Sequence, residues 1–545
     1  MEHLTPLDAA FLDAEDEDRD ASLAIASIAI LEGPAPDQLA FIKAVSGRLP
    51  LVPRYRQKVR TVPLDLGQPV WVDDPHFDLA YHVRRTAVPA PGDDAALCRL
   101  VARVMAQRLD RDRPLWECWV IEGLADGRWA VLSKIHHCVA DGMAGNLLYR
   151  LIFDGTPEPS APIDDAWKPV CEPSTQRLTL DALGALALSP VDQVRLLARA
   201  IQAPAALAGR VLDTARGLAT LAGVLRPVTR STLSGPIGRQ RRYAVARASL
   251  PEVVRTAQAF GVTVNDVVLA AISGAFRALL IERGEQPNAD SVRSLVPVSV
   301  RARDQENDID NRISMMLPLL PVDIADPVLR LSAVHARMAA LKASKEAEAG
   351  EAMTALARHE PFAPISYGIR LAARLPQRNI VTVTTNVPGP RQPLYLLRQR
   401  VVEILPYVPI ALRLRTGISV LTYCDRMSFG ITADYNSAPE TQLLGTAIEA
   451  GIADLLNAAR ALAPQPKPAR TARTTPKPVA KSTAAKAVAK STTAKSTTAK
   501  STAAKSTAAK STAAKSTAAK STAAKPATAT TARARRTPAP GVSRR

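Results

Sequence analysis

Pro157, Pro159, Pro162, Pro169 and Pro173 fall within one short stretch of this chain. Each proline fixes its own φ and lacks an amide donor, so no helix or sheet runs through such a segment. The chain must therefore build its core on either side of it. Residues 1–157 alternate strand-like apolar runs with helical patterns. Within them, residues 39–49 and 95–109 space apolar side chains by three and four, as amphipathic helices do. Residues 239–462 repeat the mixture, with helices expected over 251–260, 265–283 and 442–462 and buried strands over 294–300 and 380–385. Two α/β regions of similar size imply a site in the cleft between them. Residues 158–238 form the connection. Its stretch 178–225 is rich in Leu and Ala, with Arg195, Arg199, Arg210 and Arg216 at intervals. That pattern fits either surface helices joining the two halves or an element lying on lipid.

Charge separates a further segment, 463–545, from the rest. It holds 19 Lys and Arg and no Asp or Glu, whereas residues 1–462 carry equal numbers of acids and bases, so the net charge of +19 belongs to the tail. Five tandem Ser-Thr-Ala-Ala-Lys units run from Ser501 to Lys525, after two Ser-Thr-Thr-Ala-Lys units. With almost no large apolar side chain, such a segment cannot offset its ordering entropy and is expected to be disordered alone. A five-residue period advances about 140° beyond a full helical turn, so no apolar stripe forms. The tail's expected partners are anionic lipid or nucleic acid, held by salt-sensitive phosphate contacts.

The cysteines (Cys98, Cys118, Cys138, Cys171 and Cys424) are odd in number and never form Cys-x-x-Cys. This argues for a reducing compartment and against a disulfide framework or zinc ribbon. Residues 13–20 are acidic where a signal peptide would be basic then apolar, and no uninterrupted apolar run reaches about 18 residues. The expectation is a cytoplasmic protein with no signal peptide and no spanning helix, meeting any membrane from the side.

Residues 129–135 are rich in β-formers and deliver the chain to His136-His137-Cys138-Val139-Ala140-Asp141-Gly142. Helical spacing resumes over 142–153 with Asp141 placed as N-cap, so the motif is expected on a strand–turn–helix corner. Acyl transfer to an alcohol needs a base to take the hydroxyl proton, and a neutral imidazole suits this because its pKa lies near the working pH. One imidazole suffices; its neighbour on a strand end points elsewhere. An acid a few residues on can orient the ring, and glycine allows a tight turn. Taken alone, the paired histidines also fit ordinary buried residues, metal ligands with Asp141, or companions of a nucleophilic Cys138. Against the second, no His-Glu-x-x-His or further ligand cluster occurs. Against the third, nothing else marks Cys138 as activated. Pro114-Leu115-Trp116 and Asn265-Asp266, taken singly, read as a turn with core residues and a helix N-terminus.

Together with other segments they carry more. Leu4-Thr5-Pro6-Leu7-Asp8-Ala9-Ala10-Phe11-Leu12, Leu109-Asp110-Arg111-Asp112-Arg113-Pro114-Leu115-Trp116-Glu117 and Lys134-Ile135 before the histidines lie in the first half. Thr263-Val264-Asn265-Asp266-Val267-Val268-Leu269-Ala270, Leu295-Val296-Pro297-Val298-Ser299-Val300-Arg301 and Asn386-Val387-Pro388-Gly389-Pro390 lie in the second. In these segments the chain resembles the bacterial wax ester synthase/diacylglycerol O-acyltransferase family over residues 1–460. The His-His motif alone is shared with chloramphenicol acetyltransferases and condensation domains, so the other segments make the resemblance specific. It implies an α/β fold of two chloramphenicol-acetyltransferase-like halves with the active-site tunnel between them. It also implies His137 as general base, His136 in support, Asp141 as a structural or orienting group and Gly142 at the motif turn. Asn265 is then a polar group near the site, and Pro114, Leu115, Trp116 and Asp266 support the pocket. The substrates implied are a long-chain acyl-CoA and diacylglycerol or a fatty alcohol, at a membrane or lipid-droplet surface, with no cofactor, metal or obligate protein partner. The competing reading is a nucleic-acid or anionic-surface binder acting through its tail, with a degenerate acyltransferase body.

Overall fold

The first half of the chain is organised by one mixed sheet, in a computed structural model that describes residues 2–63, 66–140, 152–184, 231–299, 313–343 and 380–462. The tail and most of the basic stretch 178–225 lie outside these residues. Thr5 caps α1 (Pro6–Glu17) by accepting from the Asp8 amide, with Pro6 at the first helical position. Strand β1 (Glu2–His3) precedes α1 and β2 (Ala24–Leu31) follows it, then α2 (Gln38–Ser46), β3 (Gln57–Arg60), β4 (Val70–Asp73), α3 (Leu79–His82), β5 (Val83–Ala87) and α4 (Asp94–Met105). Strands β6 (Trp116–Leu124) and β7 (Arg128–His136) form a hairpin, and α5 (His137–Ala140) continues directly from β7. The helical turn α5 comes ahead of the expected corner at Asp141, which itself falls outside the described residues. The β2–β7 ladder ends at the Ala24–His136 pair, and the His137 amide turns to bond the Leu23 carbonyl at 3.0 Å, so the helical turn starts at His137. Asp141 and Gly142 lie outside the described residues.

The second half contributes β8 (Arg241–Ser249), α6 (Leu250–Phe260), α7 (Val264–Glu282), β9 (Ser294–Ser299), β10 (Ile313–Met316), α8 (Pro327–Ala343) and β11 (Thr382–Val387). After them come β12 (Tyr395–Leu396), β13 (Gln399–Tyr407), β14 (Thr416–Tyr423), β15 (Arg426–Asp434) and α9 (Thr441–Leu462). Its six-stranded sheet has the order β10-β9-β11-β14-β15-β8; α9 lies against β8 and β15, and α7 packs against α8 and α9. Helix α7 is long and apolar enough to cross a bilayer by length and composition, but 67% of that window is buried inside the protein. It is the core helix of this half, and its Phe276, Leu279 and Leu280 are 0–1% exposed.

Strands β12 and β13 leave their own half. The first sheet runs β12-β13-β2-β7-β6-β5, with β13 antiparallel to β2 from the Tyr407–Ala26 pair to the Val401–Leu31 pair. Its Ile404 and Leu405 belong to the core that also buries Trp129 and Leu132. Where β13 crosses β15, a Cβ on Gly430 would sit 1.7 Å from the Pro406 carbonyl oxygen, which also accepts the Tyr243 hydroxyl at 2.7 Å. Only glycine lets the two backbones approach so closely. The halves are thus joined through the interior of a sheet as well as by the connecting chain.

Candidate active site

His136 closes β7 and His137 opens α5, so one step along the chain sends the two rings in different directions. The His136 amide donates to the Leu115 carbonyl at 3.0 Å on one flank, and the residue pairs with Ala24 on the other. Its ring is 1% exposed. The Cys138 amide donates to His136 Nδ1 at 3.2 Å, and the Cys138 sulfur lies 3.0 Å from that same nitrogen. Nδ1 is therefore an acceptor, which puts the proton of the neutral ring on Nε2. Nε2 faces Glu15 Oε2 at 3.6 Å.

Glu15, on α1, is also 1% exposed. Its carboxylate accepts the Leu23 amide at 2.9 Å and the Arg111 guanidinium at 2.7 Å. Burial alone would raise its pKa, yet His136, Arg111 and the Leu23 amide together outweigh burial and hold it at about 2. Glu15 is an acid that the sequence reading passed over, inside a run resembling solvated surface. It ties α1, the entry to β2, the end of β7 and the segment before Trp116 to one point.

His137 is partly buried beneath the ring of Phe11, with centroids 3.8 Å apart and planes 24° from parallel. Its Nδ1 is buried with no hydrogen-bond partner among the described residues. Burial, followed by the neighbouring His136, lowers its pKa from 6.5 to about 4, so the ring is neutral near pH 7. A neutral imidazole with an unengaged nitrogen can accept a proton. Cys138 is unlike a nucleophile, because burial pushes its thiol well above the ordinary range. Among the described residues no cluster of three or more His, Cys, Asp or Glu is placed to hold a metal ion.

The other expected residues fall into two groups. Leu115 and Trp116 flank the motif directly: Leu115 accepts from His136, and Trp116 pairs with Ile135. The Trp116 indole donates to the Tyr55 carbonyl at 2.8 Å and lies between the Tyr55 and His82 rings, both with centroids at 4.5 Å. Pro114 is buried ahead of them. In the second half, Asn265 accepts from the Asn386 amide at 3.2 Å, linking the Asn-Asp and Asn-Val-Pro-Gly-Pro segments to each other rather than to the histidines. Asp266 forms a capping box with Thr263 and bonds His335 Nδ1 at 2.8 Å. Lys134, 1% exposed, donates to the Val104 and Gln107 carbonyls at the end of α4.

The chain is similar to known proteins in sequence and in fold. Residues 4–268 match the wax ester synthase/diacylglycerol acyltransferase catalytic domain, and residues 309–455 match the WS/DGAT C-terminal domain. A Mycobacterium tuberculosis (strain ATCC 25618 / H37Rv) protein named "Probable diacyglycerol O-acyltransferase tgs1" is 44% identical over 458 residues, covering 84% of this chain and 96% of that one. Among solved structures, the wax ester synthase/diacylglycerol acyltransferase of Marinobacter aquaeolei VT8 aligns with TM-score 0.57 at 24% identity, over 84% of this chain and 100% of that one. A starter condensation domain of rhizomide synthetase aligns with TM-score 0.51 at 16% identity, over 84% and 94%. At these identities the two structures speak for the fold.

Proposed function

The chain belongs to the wax ester synthase/diacylglycerol acyltransferase family, and from that premise we propose that it transfers a long-chain acyl group from acyl-CoA to the hydroxyl of diacylglycerol or of a long-chain alcohol. The observation that carries the reaction type to this chain is His137: an imidazole kept neutral by burial, stacked on Phe11, with a buried nitrogen unengaged by any described residue. His137 takes the hydroxyl proton as the oxygen attacks the thioester carbonyl. The tetrahedral intermediate collapses, the carbon–sulfur bond breaks, and the departing thiolate recovers the proton from the imidazolium. Carbon, proton and electron pair balance without a covalent enzyme intermediate.

His136 supports the base through Glu15 and Cys138 and does not itself act on substrate. To Asp141 we assign an orienting role and to Gly142 the motif turn, on the strength of the family motif alone. Asn265 supplies a polar group toward the site, while Pro114, Leu115, Trp116 and Asp266 hold the framework. Attachment to a membrane or lipid-droplet surface falls to the basic tail, whose 19 positive charges face no acid of their own. The experiment is release of free CoA from palmitoyl-CoA, offered hexadecanol or a diacylglycerol in separate reactions. Ester formation with either supports the reading; thiol release without ester in both overturns it.

A further inference from the structure

A cleft of about 1530 Å³ opens between α4 of the first half and β8 of the second. Among the described residues, eight arginines and only three carboxylates line it, a formal excess of five positive charges. Two of the acids are engaged by arginines: Asp94 by Arg247 at 2.6 Å and Asp20 by Arg239 at 3.2 Å. The third, Glu449, accepts the Arg247 amide. The remaining guanidinium groups form no ion pair with a carboxylate among the described residues, although Arg108, Arg241 and Arg242 interact at longer range with Asp16, Asp434 and Glu440. Arg108 and the buried Arg241 donate only to carbonyl oxygens, Arg242 donates to the Tyr435 carbonyl and lies over its ring, and Arg19, Arg99 and Arg103 carry no ion pair or hydrogen bond among the described residues.

Such a concentration is costly through mutual repulsion unless a polyanion occupies the cleft. Arg99 and Arg103 stand four residues apart on α4, hence on one face, and both are exposed. They oppose Arg241 and Arg242 at the start of β8, and guanidinium forks suit phosphate oxygens. The inner wall includes Ala21 and Gln107. Ser22 bonds the Gln107 carbonyl, and the next residue, Leu23, accepts the His137 amide. The cleft therefore ends beside the strand entry that seats the base.

We propose that this cleft holds the 3′-phosphoadenosine diphosphate end of acyl-CoA, with Arg99 and Arg103 on one wall and Arg241 and Arg242 on the other. The assignment rests on the acyltransferase reading for the identity of the anion; the excess of unpaired guanidinium groups stands without it. Sequence spacing gave no sign of it, because the two walls are more than 130 residues apart and show no glycine-rich phosphate loop.

The test compares palmitoyl-CoA with palmitoyl-dephospho-CoA as donors, and measures binding of free 3′,5′-ADP, for wild type and for R99A/R103A. Both residues are exposed on a helix whose buried face is untouched, so the variant keeps its fold. Arg255, exposed on α6 away from the cleft, supplies the control R255A. For R99A/R103A the expected result is a rise of about tenfold or more in KM for palmitoyl-CoA, the scale of one or two lost charge-assisted hydrogen bonds. The preference for palmitoyl-CoA over its dephospho form should fall toward one, 3′,5′-ADP affinity should fall in parallel, and R255A should keep wild-type values. An unchanged preference and unchanged 3′,5′-ADP binding in R99A/R103A overturn the site. If the variant instead loses only binding to phosphatidate vesicles, the occupant is a lipid headgroup and the nucleotide assignment is wrong. If wild type binds 3′,5′-ADP through these arginines yet makes no ester, the cleft stands and the acyltransferase reading fails.

Discussion

The carboxylate of Glu15 lies 3.6 Å from Nε2 of His136, with both side chains 1% exposed. A buried acid thus faces a buried imidazole next to His137, where β7 passes into α5. It makes the N-terminal helix part of the active site's frame.

Replacing Glu15 by Gln keeps the volume and removes the charge that Arg111, His136 and the Leu23 amide share. We expect a loss of about 1.5–3 kcal/mol in stability, the range for a hydrogen bond to a charged group, with a fall in kcat. The pKa of Glu15 is depressed from 4.5 to about 2, so its contribution is full above pH 4.5 and lost as pH falls from there toward 2. The stability gap between wild type and E15Q, followed by denaturant melts, should narrow across that window. A gap that widens with acidification would refute the ionised carboxylate.

His137→Ala should cost at least about 10²-fold in kcat, the usual share of a general base. His136→Ala should act mainly on stability, since that ring bonds Cys138 and faces Glu15. Equal losses of kcat with unchanged melting temperature would sink the assignment of a single base.

The acid limb of kcat/KM reports the base in the free enzyme. With His137 lowered to about 4, the active neutral form persists as pH falls through 6 and is lost only on approaching 4. A limb centred near 6.5 would contradict the burial that the Phe11 stack describes.

Gly430→Ala should destabilise the protein severely, because the added Cβ would lie 1.7 Å from the Pro406 oxygen. Gly127, with open space around its Cβ direction, is the comparison, though its positive φ of 64° will itself cost some stability. The measure is the difference in melting temperature. A Gly430→Ala protein melting with wild type would show that β13 does not cross β15 this closely.

Deleting residues 464–545 should leave turnover on micellar substrate nearly intact and weaken co-sedimentation with anionic vesicles. The difference should shrink as salt shortens the Debye length from about 10 Å at 0.1 M. Equal binding at low salt would move surface attachment elsewhere in the chain. Loss of micellar activity would make the tail part of the enzyme.

Much of this was legible in the residue pattern, and the exceptions have physical causes. Helices α4, α6, α7 and α9 begin and end within four residues of their expected limits, because one apolar face repeats at helical period or a cap such as Thr263 marks the start. Strand β7 reads as a run of β-formers because it is buried on both faces. Strand β8 escaped notice: Arg241, Arg242 and Arg247 break its apolar alternation, and they do so because they line a cleft. The pairing of β13 with β2, more than 360 residues apart, leaves no local signal. Glu15 looked like one acid among several because only tertiary packing distinguishes it from Glu17. The short turn α5 has no local signal, because the bond from the His137 amide to the Leu23 carbonyl that accompanies it joins residues remote in sequence.

The borrowed strand also sets a timetable. While the ribosome is still making the second half, β2 has β7 on one side and an open edge on the other, and open edges invite pairing with other chains. Some 262 residues separate the end of β7 (His136) from the start of β13 (Gln399). At about 5–20 residues per second the nascent chain carries that edge for roughly a quarter of a minute to one minute. The placement of one nine-residue strand thus predicts a demand for chaperones during synthesis and poor folding of the first half expressed by itself, checked by the solubility of residues 1–157 alone.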